Sequence, residues 1–211
     1  MLKILKLATY PLLLLFLTIN THSLYKSAIG VVLHSKLYLW VAVGIAIYFV
    51  VRQVLRLNLD FLETFTHEII HAVVSIIFLH KIVSITINEK EGEIIHRGKN
   101  GSRNVFISLA PYCIPIYTFA FLLLRLIVIG KFLWVIDILV GLTTGFHGCA
   151  IRRQIGTHQN DIQNCGILFS FLFICAFILF NTSIILWSIK NGIGGAVLCW
   201  WENLMYLTKT L

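Results

Sequence analysis

Several long stretches of this chain contain no charged residue at all. LYLWVAVGIAIYFVV (37–51) and ILFSFLFICAFILFNTSIILWS (167–188) are examples. A lipid interior offers no partner to a free N–H or C=O, so runs of this kind are confined to helices that satisfy their own backbone. The whole chain points the same way: 12% of its 211 residues are charged, against about 25% in ordinary soluble domains. The expected solvent is therefore the lipid bilayer.

Taken in order, the apolar runs predict an all-α polytopic membrane protein with about six transmembrane helices. The first lies in MLKILKLATYPLLLLFLTIN (1–20) and is read as retained, because no small-x-small cleavage site follows it. The others are 37–51, closed by Arg52, then 60–80, 105–130, 132–148 and 167–188. Pro111 and Pro115 should kink or break the start of the fourth. The tail from Asn191, with Trp200, Trp201 and Glu202, reads as interfacial. No long linker, repeat or low-complexity segment divides the chain. A single membrane-embedded domain over 1–211, with its core at about 60–188, is expected.

One segment breaks the pattern. KIVSITIN and EIIHRG, on either side of Glu-Lys-Glu-Gly, alternate β-branched residues and predict a small β-hairpin at 81–98. The excess of basic over acidic residues (17 against 9) falls mostly between apolar runs, where Lys and Arg anchor helix ends at the headgroups. Without a basic block interleaved with aromatics, nucleic acid is excluded as a partner. The cysteines at 113, 149, 165, 175 and 199 form no CxxC and imply neither a disulfide framework nor a thiolate metal site.

Within FTHEIIHAVVSIIFLH (65–80), His67, Glu68 and His71 form HExxH. On a helix, i and i+4 share a face, so both imidazoles can reach one metal while Glu68 lies beside them. This is the construction of a zinc hydrolase: two histidine ligands, a third ligand elsewhere, and a glutamate that takes a proton from water. With 8 His and 6 Glu in the chain, the pattern arises by accident in roughly one such chain per hundred. Ionisable groups in a membrane helix are read as functional by default. The bland alternative is a neutral hydrogen-bonded cluster that joins helices.

The third ligand has six candidates: Glu63, His96, Asp137, His147, His158 and Asp161. Glu63, one turn before His67, suits a hydrogen bond to the far nitrogen of a ligand, or simply a helix-start carboxylate near the headgroups. QIGTHQNDIQNCG (154–166) is polar yet has Asp161 as its only formal charge. Such a segment suits a cavity at membrane depth, and it is expected to dip toward His67 and His71. Asp161 is then either a ligand or the cap of the last helix.

The order of these pieces, HExxH helix, hairpin with a Glu-Gly turn, SLAPYCIP and QNDIQNCG, resembles the site-2-protease-like intramembrane zinc metallopeptidases, especially their small bacterial members. The similarity covers roughly residues 60–180. It implies that His67, His71 and Asp161 bind Zn2+ and that Glu68 is the general base, in a protein of the bacterial cell membrane. One departure concerns the third ligand: Asn160-Asp161 is followed by Ile162, with the next glycine only at Gly166 and no proline nearby.

The function expected is hydrolysis of peptide bonds in membrane-associated or membrane-spanning substrates. Oxyanion donors are sought among His158, Asn160 and Asn164, and His147 either faces the same cavity or packs helices. A locally unwound substrate is expected to pair with an edge of the hairpin. Two rivals are a non-catalytic zinc-binding scaffold or regulator and a metal transporter. Glu68 has no purpose in the first, and the chain lacks the internal repeat common in the second.

Overall fold

The computed structural model describes residues 2–55, 58–87, 92–97 and 104–210. In chain order these form α1 (Leu2–Leu33), α2 (Ser35–Leu55), α3 (Asp60–Ile77), β1 (Lys81–Ile87), β2 (Gly92–Arg97), α4 (Val105–Cys113), α5 (Ile116–Leu124), α6 (Leu133–Gln154), α7 (Asn160–Cys165) and α8 (Ile167–Thr210).

Among the described residues, three helices are long and apolar enough to cross a membrane: Ser35–Val54, Gly130–Gln154 and Ile167–Lys209. The pair α4–α5, bent by 68° at its break, makes a fourth if it counts as one span. Of the six spans expected, the one at 60–80 is corrected by charge: α3 carries Asp60, Glu63 and Glu68 in 18 residues. The side chains of residues 1–8, which begin the first expected span, lie outside the described residues. Apolar side chains nonetheless face outward over much of the surface; Leu12, Val32, Val54, Ile77 and Ile127 are all more than 65% exposed. In water such a surface would drive aggregation, whereas lipid is a matching solvent. The chain is an integral membrane protein.

α1 and α2 are separated by one residue, His34, yet have different partners: α1 lies along α8 and α2 along α6. The α2–α6 crossing is made close by glycine. A Cβ on Gly44 would lie 2.0 Å from the Ile138 carbonyl oxygen, and one on Gly141 would lie 2.0 Å from that of Val41. Without a hydrophobic driving force between helices in lipid, such small-residue contacts supply the packing. α5 joins this pair through Leu122, which shares a buried cluster with Val41, Val140 and Ile185. Arg125, at the end of α5, bonds Asp137 of α6 at 2.8 Å and the Ile189 carbonyl of α8 at 2.9 Å.

α8 reverses direction at Gly192, whose φ of 72° and ψ of 166° break the helix. The rings of Phe180 and Trp200 are 5.4 Å apart, although a straight helix would separate 20 residues by about 30 Å. The tail expected at the interface is thus a helical return leg. Its Trp200 donates to the fully buried Asn20 of α1 at 2.9 Å, which gives this polar residue an internal partner.

α3 ends with Leu79 at a φ of 57°. The N–H groups of Leu79 and His80 bond the carbonyls of Ile76 and Ser75, a closure usually made with glycine in Leu79's place. β1 then pairs antiparallel with β2, from Lys81↔Arg97 to Ile87↔Gly92, with an irregularity between Ile82 and Ser84. The turn of the expected hairpin, 88–91, and residue 98 lie outside the described residues. In the fourth apolar segment, Pro111 sits inside α4, and the break comes at Ile114 and Pro115. Ile114 is extended, as a residue before proline should be. The side-chain amide of Asn181 bonds the Cys113 carbonyl at that break.

Candidate metal centre

The start of α3 is held from three sides. The Asn58 carboxamide oxygen accepts the Asp60 N–H at 3.0 Å, and Asp60 and Glu63 place negative charge in the first turn, where the helix dipole favours it. Glu63 is buried between Arg52 of α2 at 3.3 Å and Arg153 of α6 at 3.2 Å. Arg153 also pairs with Asp60. These contacts fix the rotation of α3 and so the direction of its histidines.

His67 and His71, one turn apart, bring their Nε2 atoms to 3.2 Å from each other. Both Nδ1 atoms face oxygen: that of His71 donates to the Ile107 carbonyl of α4 at 2.9 Å, and that of His67 donates to the Gln154 Oε1 at 3.1 Å. Gln154 is itself oriented, because its Nε2 donates to the Glu63 carbonyl at 3.1 Å. A carbonyl can only accept, so each imidazole, when neutral, carries its proton on Nδ1 and presents a bare lone pair on Nε2. Two lone pairs facing each other do not bond; they call for a cation between them.

The third donor comes from α7. After Gln154 the chain leaves α6 in an extended conformation at Ile155, and α7 follows. Ile162 and Cys165 are buried with Leu109, Tyr112 and Ile174, which anchors α7 and turns Asp161 toward the histidines. Gly166, at a φ of 95°, lets α8 start at once. Asp161 Oδ2 lies 3.3 Å from His71 Nε2 and 3.7 Å from His67 Nε2.

The spacing can be compared with a real coordination shell. In a tetrahedral zinc site with bonds of about 2.05 Å, neighbouring ligand atoms are about 3.3 Å apart. The three edges here are 3.2, 3.3 and 3.7 Å. His67, His71 and Asp161 thus form a group able to hold a metal ion, and two nitrogens with one oxygen leave a fourth position for water or substrate. Asp161 retains 29% side-chain exposure, so the group is reached from the α7 side. Glu68, between the histidines in sequence, is buried and acts electrostatically on His71.

The remaining candidate residues lie as follows. Glu63 faces arginines, and it is Gln154 that meets the far nitrogen of His67. Asp137 is committed to Arg125. His147, half-buried on α6, is not part of the metal group found among the described residues. His158 is exposed and lies over Gly156, where a Cβ would come within 2.5 Å of its ring. Asn160 and Asn164 are exposed on α7. The side chain of His96, on β2, lies outside the described residues. Sequence reasoning missed Gln154, the Ile107 carbonyl, and Tyr112, whose fully buried ring stands edge-on to His67 with centroids 5.2 Å apart.

A HExxH helix whose histidines meet a carboxylate from a distant segment, in a chain of long apolar helices, defines the class of intramembrane metallopeptidases. The Peptidase M50B-like family model matches residues 38–209, and the chain belongs to that family. It is a metallopeptidase. Neither the curated proteins nor the solved structures compared with it gave a match.

Proposed function

We propose that this protein is an intramembrane zinc metalloprotease, a single membrane-embedded domain that hydrolyses peptide bonds of membrane-associated or membrane-spanning substrates. The observation that carries the reading is the convergence of His67, His71 and Asp161 at tetrahedral spacing, with the Nδ1 atom of each imidazole set against an oxygen. Zinc at this group supplies a Lewis acid that acidifies water and polarises a carbonyl. Glu68 takes the proton of the attacking water and later delivers it to the leaving amine. The open side at Asp161 admits water.

A substrate helix hides its peptide bonds in its own ladder and must unwind first. β1 and β2 form a two-stranded sheet, and its outer edges suit an extended segment by strand addition. The resemblance to small bacterial members supports a place in the bacterial cell membrane.

The test is Glu68→Gln. Zinc content should remain that of the wild type, while turnover of a casein or single-span peptide probe should fall by about 10²–10⁴-fold, the range of general acid–base catalysis. Full activity in this variant, or a purified protein that takes up no zinc, refutes the proposal.

A further inference from the structure

The carbonyl that orients His71 belongs to the middle of a helix, where carbonyls are normally occupied. In α4 the Ile107 oxygen would receive the N–H of the residue four positions on. That residue is Pro111, which has no N–H, and whose ring also pushes the carbonyl of residue i−4 outward. Ile107 is fully buried, so water is no substitute partner. His71 Nδ1 occupies the oxygen instead, at 2.9 Å.

We infer that Pro111 is a positioning residue for the metal centre: by withholding an N–H, it dedicates the Ile107 carbonyl to His71 and fixes which imidazole nitrogen faces the metal. The inference rests on the proposed zinc site. It gives Pro111 a role apart from the α4–α5 break, which falls at Ile114 and Pro115. A neutral imidazole protonated on Nε2 would turn a donor toward the site and exclude the ion. The carbonyl opposes that tautomer, because Nδ1 would then present a lone pair to an oxygen.

Pro111→Ala supplies the missing N–H and returns Ile107 to the helical ladder. Metal-free full-length protein in detergent would be titrated with zinc against a competing chelator. The variant should bind about tenfold more weakly, at the low end of the loss seen when a ligand's supporting hydrogen bond is removed. Its metal-free melting temperature should match or exceed the wild type's, since alanine is the better helix former. Zinc affinity within twofold of wild type in a folded variant overturns the inference.

A second measurement needs no variant. ¹⁵N-histidine NMR of the metal-free wild type, at a pH where imidazole is neutral, should show His71 protonated on Nδ1. The Nε2–H tautomer there overturns the inference even if Pro111→Ala fails to fold. Asp161→Ala separates the two levels: zinc binding unchanged in that variant refutes the site itself, whereas zinc lost there but kept in Pro111→Ala refutes only the role of Pro111.

Discussion

Gln154 binds both ends of a short bridge: its Oε1 accepts from His67 Nδ1 at 3.1 Å while its Nε2 donates to the Glu63 carbonyl at 3.1 Å. The bridge ties the last residue of α6 to α3, so the orientation of one imidazole of the candidate metal group depends on helix packing as well as on α3. Removing such a partner costs about 10–100-fold in metal affinity. Gln154→Ala should show a loss of that size by zinc titration. Gln154→Glu, which keeps an acceptor for His67, should bind more tightly than the alanine variant.

Asp161 and Asp137 are both acids in or beside apolar helices, and they should respond oppositely. Asp161→Ala removes a donor from the metal group and should weaken zinc binding by more than the roughly 100-fold that a supporting residue can cost. Asp137→Ala should leave zinc affinity unchanged. It should instead lower stability by about 3 kcal/mol, because the Arg125 guanidinium loses its counter-charge in a buried setting. Zinc titration and denaturation of the two variants read the contrast directly.

The histidine pair was legible in sequence because i, i+4 spacing on a helix is a local rule. Asp161 stood out through composition, as the one formal charge in a polar stretch, but composition left it between ligand and helix cap, and its choice as a ligand came from the family resemblance. Gln154 and Ile107 obey no such rule. One acts only because α6 ends beside α3, and the other acts through a backbone atom that every residue possesses. Pro111 was the one visible trace of the latter, and it reads from sequence as a kink. The span expected at 60–80 misled for a related reason: its apolar run hides how much charge α3 carries, and Glu63 is buried only because Arg52 and Arg153 reach it from elsewhere in the chain. The reversal of α8 had its signal in the glycines of NGIGG (191–195), of which Gly192 adopts the conformation that turns the helix.

Leu79 occupies a left-handed conformation at the end of α3, with 85% of its surface exposed. A non-glycine residue pays about 1–2 kcal/mol there, and an exposed side chain recovers little of it by packing. Leu79→Gly should therefore raise the midpoint of thermal unfolding in detergent without altering zinc affinity. A lowered midpoint would show that the leucine side chain has a contact stronger than the strain.

The α2–α6 crossing makes a sharper test of packing, because two glycines on the same helix should behave in opposite ways. Gly141 lies against the Val41 carbonyl with no room for a Cβ, whereas a Cβ on Gly148 would meet nothing within 4 Å. Gly148→Ala should stabilise the helix by about 0.5–1 kcal/mol, the usual difference in helix propensity. Gly141→Ala must force two backbones apart and should cost at least the 1–3 kcal/mol typical of overpacking. The separation of α2 from α6 would also disturb Arg52 and Arg153, which clamp Glu63 at the start of the histidine helix. Gly141→Ala is therefore expected to weaken zinc binding as well as lower the unfolding midpoint, although its Cα is on neither the histidine helix α3 nor α7. A Gly141→Ala protein with wild-type stability would mean that the two helices do not cross at these glycines.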